Sequence, residues 1–317
     1  MHFAFTEDQT MLADAVRDAL QSECTPEKVR ASWDSRQDEL WATLAELGVL
    51  GIEVPEDRGG LGMSACDWVL LAEETGRFAF PGPVVETLAL APLLAELGED
   101  ELLAGVCSGE AVVTVAPEGE YVPDADIAAR IYQVRGNELV SIGNPRVEAV
   151  KSVDGARRLF RVEGDLHSVA ADGAGVSRRA TLAASAQLLG VSEYLLDKAV
   201  DYAKERRQFS KPIGSFQAIQ HHLADALLKI RFAKPVVYRA AWSIASGDPN
   251  VDVHVSMAKC FAADAADVAC RKSLQVHGAI GYTWEYDLHL WMKRAWALRA
   301  AWGSAAEHRE RIGDAIL

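Results

Sequence analysis

The sequence predicts a mainly α-helical protein in which two helical regions flank a smaller β unit, and three observations predict it. Apolar residues recur at helical spacing before about residue 110 and again from Arg179 onward. Between these regions, short β-rich runs are broken by Gly, Pro and Asn. The last region has four long helical patterns with short connectors, which is typical of an antiparallel four-helix bundle. We therefore expect an N-terminal helical domain over 1–110, a shortened β domain over 111–178 and a bundle over 179–317.

The N-terminal region carries recognisable helix ends. Thr6 and Gln9 match a capping box, in which each side chain accepts a bond from the other residue's backbone N–H at a helix start. Leucines recur at helical spacing over 38–47, and Gly48 follows them where a left-handed cap residue ends a helix. After a turn-rich stretch, a further helix is expected over 65–76.

The middle and last regions differ in their apolar period. Runs of apolar and β-branched residues predict a small antiparallel β unit, at 112–115, 131–134, 138–142 and 159–162. Helical spacing then predicts four bundle helices, around 188–200, 216–230, 253–268 and 285–312. Four tryptophans of the last region are expected to fill the bundle or interface core, namely Trp284, Trp291, Trp296 and Trp302.

Composition excludes several classes of function. The 317 residues include 46 acidic and 32 basic side chains, a net charge of −14, so neither nucleic acid nor an anionic membrane is an expected partner. The five cysteines have no metal-ligand spacing. Adjacent His221 and His222 point about 100° apart on a helix, so no metal site is expected. Glu7 and Asp8 stand where a secretory signal has lysines, and no run is apolar enough to span a membrane. We expect a cytoplasmic protein with reduced thiols.

Three segments carry a family resemblance: GVLGIEVPEDRGGLG at 48–62, RRQFSKPIGSFQ at 206–217 and QVHGAIGYTWEY at 275–286. In this order and at these separations they resemble the acyl-CoA dehydrogenases. The resemblance implies an N-terminal helical domain, a β-barrel-like middle domain and a C-terminal four-helix bundle that builds dimers and tetramers. It also implies FAD and the removal of two hydrogens from Cα and Cβ of an acyl-CoA thioester. A carboxylate takes the α-proton, and the β-hydrogen leaves as hydride to flavin N5.

The flavin of this family lies at a subunit interface, with its ring on one subunit and its pyrophosphate and adenosine reaching the neighbour's bundle helices. Arg206 matches the arginine of the family's RxxFG motif, and a guanidinium fork suits a pyrophosphate. Ser210 and Ala279 stand where the family has glycine. The alternative interpretation is a solvated arginine pair, Arg206 with Arg207, at a helix C-terminus. The cofactor-binding residues that the resemblance implies are Arg206, Gln208, Phe209, Ile213, Phe216, Gln217, Gln275, Gly278 and Ala279.

The family's catalytic glutamate has no counterpart in this sequence. Trp302 occupies the glutamate position of the family's Tyr-Glu-Gly-Thr element, and Ala180 occupies the position that some members use instead. Neither side chain accepts a proton. On a continuous helix Glu307 is rotated roughly 140° from Trp302, and Glu193 lies about 20 Å along the helix from Ala180. We therefore expect no catalytic residue in this chain.

The β unit also lacks the family's flavin-ring elements. Full-length members carry Thr-Glu-Pro-x-x-Gly-Ser-Asp and a later Trp that packs on the ring, whereas this chain has TVAPEG at 114–119 and no tryptophan in the β region. We therefore expect this chain to pair with a full-length acyl-CoA dehydrogenase subunit, in an α2β2 assembly with one FAD per heterodimer. The partner supplies the glutamate and the ring pocket and holds most of the acyl-CoA.

Family analogy extends this expectation to a substrate and leaves two alternatives. Heteromeric acyl-CoA dehydrogenases of this kind resemble those of actinobacterial steroid side-chain and ring catabolism, which suggests a bulky CoA thioester. One alternative is a structural or regulatory dimerisation partner of the same fold that binds neither FAD nor CoA. The other is a self-sufficient oxidase or monooxygenase with a relocated base.

Overall fold

The computed structural model describes residues 4–170 and 172–317. The helices are α1 (Glu7–Glu23), α2 (Pro26–Ala31), α3 (Asp38–Glu46), α4 (Ala65–Arg77), α5 (Val84–Leu97), α6 (Asp100–Ser108), α7 (Gly173–Glu205), α8 (Gln217–Ser246), α9 (Val251–His277), α10 (Leu288–Ala300) and α11 (Ala305–Ile316). The strands are β1 (Val113–Pro117), β2 (Val122–Pro123), β3 (Arg130–Arg135), β4 (Glu138–Val150), β5 (Leu159–Ala170), β6 (Arg207–Gln208) and β7 (Lys211–Pro212).

The helix ends expected in the N-terminal region are confirmed. The backbone N–H of Thr6 donates to Gln9 Oε1 at 2.9 Å, and the Gln9 N–H donates to Thr6 Oγ1 at 3.2 Å, which completes the capping box of α1. Helix α3 ends at Gly48, whose φ of +71° is the left-handed cap conformation. Helices α2, α5 and α6 were not expected. Helix α5 is buried almost all round, so it has no amphipathic pattern to detect.

Helix α7 is the centre of the molecule and packs against α4, α5, α8, α9 and α10. Glycines set its closest contact. A Cβ on Gly190 would lie 1.8 Å from the carbonyl oxygen of Glu73, and a Cβ on Gly76 would lie 2.1 Å from that of Gln187. The backbones of α4 and α7 therefore touch directly, which fixes the N-terminal helices on the bundle. Helices α8 and α9 are joined by a connector of residues 247–250, and so short a connector makes neighbouring helices antiparallel.

The β unit is a five-stranded sheet with the order β1-β3-β4-β5-β2. Strands β1 and β3 are parallel and the other pairs are antiparallel, so the expectation of a purely antiparallel unit is wrong for this pair. The reason is that residues 118–129, between β1 and β3, cross to β2 and return. The two edge strands also lie close together, since the Thr114 hydroxyl on β1 donates to the carbonyl of Pro123 on β2 at 2.6 Å.

The helix expected over 285–312 is broken in two, so that prediction is wrong. Helix α10 ends at Ala300, and Trp302 (φ +60°) and Gly303 (φ +93°) then leave helical geometry. Ser304 starts α11 through a capping box with Glu307. Two consecutive residues at positive φ cannot continue a right-handed helix.

Within the described ranges, no helix combines the length and apolar content that a bilayer crossing needs. In the same part of the chain, no three His, Cys, Asp or Glu side chains come together as candidate ligands for a metal ion.

Candidate functional site

The segment after α7 folds into a tight hairpin. Arg206 caps α7, and its carbonyl oxygen accepts a bond from the Ile213 N–H at 2.8 Å. Strands β6 and β7 pair across a two-residue turn in which Phe209 has φ +50° and Ser210 has φ +67°. Two positive φ values are the signature of a type I′ hairpin turn. Glycine adopts this conformation without strain, which explains why a glycine suits the position that Ser210 occupies.

The bundle places this hairpin beside the end of α9. Ile213 packs with Ala199 and Ala203 of α7 and with Val276 of α9 in one apolar cluster. A Cβ on Gly214 would lie 3.0 Å from the carbonyl oxygen of Ala203, so the hairpin backbone lies against α7. The segments 206–217 and 275–286, far apart in sequence, therefore come together at one end of the bundle.

The hairpin presents aromatic side chains to solvent. Phe209 is 86 % exposed at the tip and meets the ring of Phe216 edge-on, with 6.1 Å between centroids. The ammonium of Lys211 lies 4.4 Å from the centroid of the Phe216 ring, within cation–π range. Phe209 therefore offers an apolar contact at the tip of the hairpin.

The polar residues expected to contact the cofactor are exposed. The side chains of Arg206, Gln208, Gln217 and Gln275 make no hydrogen bond to any other residue that the structure describes. Gly278 has φ +65° and ψ −141°, and no atom lies within 4 Å of where its Cβ would be. Unused donors beside an open backbone fit the pyrophosphate and adenosine of a nucleotide. Ala279 is exposed next to Gly278.

His277 lies beneath this surface and has a structural role. Its Nδ1–H donates to the carbonyl of Ser273 at 2.7 Å, its Nε2 accepts from the Tyr286 hydroxyl at 3.0 Å, and its ring stacks on Tyr202. Burial lowers the pKa of the ring. His277 is therefore a neutral residue whose two ring nitrogens are both hydrogen-bonded within the chain.

Both positions that could hold the family's glutamate are buried and lack a base. Ala180 is inside α7, and Trp302 is 4 % exposed with its indole pointing into the protein. The Trp302 Nε1–H donates to Glu86 Oε1 at 3.3 Å, and Arg157 Nη2 donates to the same oxygen at 2.8 Å. Glu86 is fully buried on α5. Sequence reasoning missed the ion pair of Glu86 with Arg157, although an acid at position 86, inside the apolar run of α5, was a usable signal.

The loop that carries Trp302 is held by two buried bases. Lys259 donates to the carbonyls of Leu298 at 2.6 Å and Ala301 at 2.5 Å, and burial lowers the pKa of its amine to about 7. His308 Nε2–H donates to the Trp302 carbonyl at 2.9 Å, and its Nδ1 accepts from the Ser256 hydroxyl at 3.1 Å. These bonds fix the carbonyls on both sides of the turn and hold the indole inward.

The nearby acids are engaged elsewhere. Glu307 accepts from the Ser304 N–H at 2.6 Å, and this bond lowers the pKa of its carboxyl. Glu307 is therefore a capping residue and does not act as a base. The expected rotation of roughly 140° between Glu307 and Trp302 is wrong, because the helix is broken between them. Glu193 lies 2.6 Å from the Lys234 ammonium. Of the four tryptophans expected in the core, Trp291 and Trp302 are buried, and Trp284 and Trp296 are on the surface of the chain.

The neutral state of His308 gives a pH-dependent prediction. Burial lowers its pKa to about 4, against about 6.5 in an unfolded chain. Between these two pKa values the unfolded state binds more protons than the folded state. The stabilisation that neutral His308 gives the fold is therefore complete above pH 6.5 and is lost as the pH falls towards 4. The free energy of unfolding, measured in urea, should fall between pH 7.5 and pH 4.5. This fall should be about 2 kcal/mol smaller in His308→Gln than in wild type.

The exposed His221 provides the control for this measurement, because His221→Gln should keep the wild-type pH dependence. An equal loss in wild type and His308→Gln would contradict the fixed neutral state of His308.

Comparisons with known proteins cover both helical regions. Residues 6–110 match the acyl-CoA dehydrogenase N-terminal domain, and residues 175–317 match the acyl-CoA dehydrogenase C-terminal domain. The acyl-CoA dehydrogenase IpdE2 of Mycolicibacterium smegmatis is 30% identical over 311 residues, which cover 97% of this chain and 98% of that protein.

Two solved structures are also similar over nearly their whole length. The ChsE4-ChsE5 complex from Mycobacterium tuberculosis contains a chain with a TM-score of 0.88 and 25% identity, covering 99% of this chain and 98% of that one. The Tcur3481-Tcur3483 steroid ACAD contains a chain with a TM-score of 0.88 and 26% identity, covering 98% of each chain.

Proposed function

The chain belongs to the acyl-CoA dehydrogenase family, whose members are FAD-dependent oxidoreductases, and from that premise we propose that it is a subunit of a heteromeric acyl-CoA dehydrogenase that lacks its own catalytic base. The observation that carries the proposal is a contrast between two positions. Arg206 is exposed and has no acceptor among the described residues, whereas Trp302 is buried where the family has its glutamate.

The hairpin end of the bundle would hold the nucleotide part of FAD. The guanidinium of Arg206 would donate to the pyrophosphate, and Gln217 and Gln275 would donate to other polar atoms of the nucleotide. Phe209 and Phe216 would contact the apolar faces of the nucleotide. The bound cofactor would supply the hydride acceptor for the reaction. These side chains bind and orient the cofactor and take no part in moving the α-proton.

The proton acceptor and the flavin-ring pocket then belong to a second subunit. Removing a positioned base costs about 10²–10⁴ in rate, so a chain whose base position holds Trp302 or Ala180 depends on a partner. The ChsE4-ChsE5 complex contains two named subunits, and a chain of that complex resembles this one over nearly its whole length. The proposal is an α2β2 assembly with one FAD per heterodimer, in which the full-length subunit holds most of the acyl-CoA.

The proposed substrate is a bulky CoA thioester derived from a steroid side chain or ring. Its support is the likeness to a chain of a steroid acyl-CoA dehydrogenase.

An Arg206→Ala substitution tests the cofactor role. In the assembled heteromer, the variant should weaken FAD binding by about 10- to 100-fold, because a hydrogen bond to a charged group contributes about 1.5–3 kcal/mol. Arg206→Lys should fall between wild type and Arg206→Ala, since it keeps the charge and loses the fork. FAD content is measured from the absorbance of the purified complex after dialysis at several FAD concentrations.

The matched control is Arg36→Ala, an exposed arginine that pairs with Asp38 in the N-terminal region. It should leave FAD occupancy at the wild-type value. Unchanged occupancy in Arg206→Ala would favour the alternative of a dimerisation partner that binds no cofactor.

A further inference from the structure

The loop before α10 carries an indole that is exposed to solvent and still held in place. Trp284 lies in this loop, which comprises residues 283–287, and is 61 % exposed. Its ring lies edge-on to the ring of Trp33, with 5.9 Å between centroids, and edge-on to the ring of His289 at 4.6 Å. Trp33 comes from the N-terminal region and His289 from α10. The indole therefore joins two regions that are far apart in sequence.

A lysine on α10 completes this cluster. The Lys293 ammonium lies 4.4 Å from the centroid of the Trp284 ring and 4.5 Å from the centroid of the Trp33 ring. An ammonium within about 6 Å of an indole centroid is attracted by the negative face of the ring. Asp154 attracts the same ammonium but is already paired with Arg294. We call Trp33, Trp284 and Lys293 the aromatic clamp.

The N-terminal side of the aromatic clamp is itself fixed. A Cβ on Gly155 would lie 2.4 Å from Cδ2 of the Trp33 ring, so this indole lies directly on the backbone between β4 and β5. The Trp33 N–H donates to the carbonyl of Arg30 at 3.1 Å. The Arg30 guanidinium pairs with Asp287, at the far end of the loop. Helix α2 and the turn after it therefore hold the loop at both Trp284 and Asp287.

The clamped loop continues directly from the surface at 278–279 that is expected to meet the nucleotide. Residues 278–282 form one short 3₁₀ turn. The N–H and the hydroxyl of Thr283 both donate to the carbonyl of Ile280, at 3.0 and 2.9 Å. Because Trp284 follows Thr283 directly, a shift of its indole is passed to this turn. A loop that is ordered before its ligand arrives loses less conformational entropy on binding.

We propose that the aromatic clamp positions the backbone of residues 278–282 for the nucleotide part of FAD, which makes Trp33, Trp284 and Lys293 positioning residues. They act through the loop and make no contact of their own with the cofactor. The inference rests on the proposed function, because it concerns the same nucleotide surface. It gives the N-terminal helical region a role in holding a cofactor that the bundle binds.

Hydrogen exchange of the chain alone tests the restraint without any cofactor. Trp284→Ala and Lys293→Met should each raise the exchange rates of the amides at 278–283 by about three- to ten-fold, because ring and cation contacts no longer oppose local opening. The amides of the buried helix α5 should keep their wild-type rates. Lys293→Arg should exchange as wild type does, since a guanidinium keeps the cation–π contact.

Two results of the exchange experiment would overturn the proposal. One is unchanged exchange at 278–283 in Trp284→Ala and Lys293→Met, which would mean that the clamp does not restrain the turn. The other is an equal rise in exchange at 278–283 and in α5, which would mean that the substitutions lower the stability of the whole fold.

FAD affinity of the assembled heteromer tests the consequence for the cofactor. Trp284→Ala and Lys293→Met should weaken FAD binding by about three- to ten-fold, and Lys293→Arg should not. Trp242→Ala is the matched control, because this indole also contacts a cation, with the Arg239 guanidinium 4.8 Å from its ring centroid. Trp242 lies about 38 Å along α8 from Gln217, so its truncation should leave FAD affinity at the wild-type value.

The same titration separates this inference from the proposed function. If Arg206→Ala weakens FAD binding while Trp284→Ala and Lys293→Met bind FAD as wild type does, the aromatic clamp has no positioning role and the proposed function stands. If Arg206→Ala also binds FAD as wild type does, the proposed function fails, and the role of the clamp fails with it.

Discussion

Replacing Trp302 by alanine should lower the free energy of unfolding by about 3–5 kcal/mol, the cost typical of truncating a buried aromatic side chain. The indole is 4 % exposed and packs in the main apolar core, where it also bonds Glu86. Its loss leaves a cavity between α5, the β unit and α10, and it removes one donor from a buried carboxylate. Urea denaturation followed by circular dichroism measures the change.

Trp296→Ala is the comparison for this result. Trp296 is the same residue type on the neighbouring helix α10, but it is 41 % exposed, so its truncation should cost no more than about 1.5 kcal/mol. If the two variants lost equal stability, the indole of Trp302 would not be the internal packing element that the structure shows.

Replacing Arg157 by leucine should cost a similar amount for a different reason. Arg157 is the ion-pair partner of the fully buried Glu86, and removing one member of a buried pair typically costs about 3–5 kcal/mol because the other charge stays unpaired. The double substitution Glu86→Leu with Arg157→Leu should recover most of this loss, since it removes both charges and keeps an apolar volume. Urea unfolding of both single variants and the double variant forms a double-mutant cycle.

A double variant as unstable as the sum of the two single variants would contradict this account. It would mean that the two side chains do not interact, and that the 2.8 Å contact between Arg157 Nη2 and Glu86 Oε1 contributes nothing to folding.

The order of helical, β and helical regions was predictable because local signals specify it. Thr6 with Gln9, and Gly48 after α3, act within a few residues and were found from the sequence. Helix α5 was missed because tertiary burial on all sides removes its amphipathic period. The break at residues 301–304 depends on positive φ values at Trp302 and Gly303 and on a buried bond from the distant Lys259, which no short sequence window records.

The two parts of the candidate site also differed in how far the sequence could predict them. The hairpin at 206–217 is built from a local turn, and its position beside 275–279 follows the order of the bundle helices. Glu86 Oε1 accepts from both Trp302 and Arg157, so these bonds join residues from the first, last and middle regions of the chain. Sequence spacing identified Trp302 as a substitution for a base, but only the fold shows where the indole lies and what holds it.

Dependence on a partner subunit is tested most directly by measuring FAD content and thioester oxidation for this chain alone and for its complex with a full-length acyl-CoA dehydrogenase subunit. We expect one FAD per heterodimer and dehydrogenation by the complex, whereas the purified chain alone should be colourless and inactive. A lone chain that bound FAD stoichiometrically and oxidised an acyl-CoA thioester would contradict it.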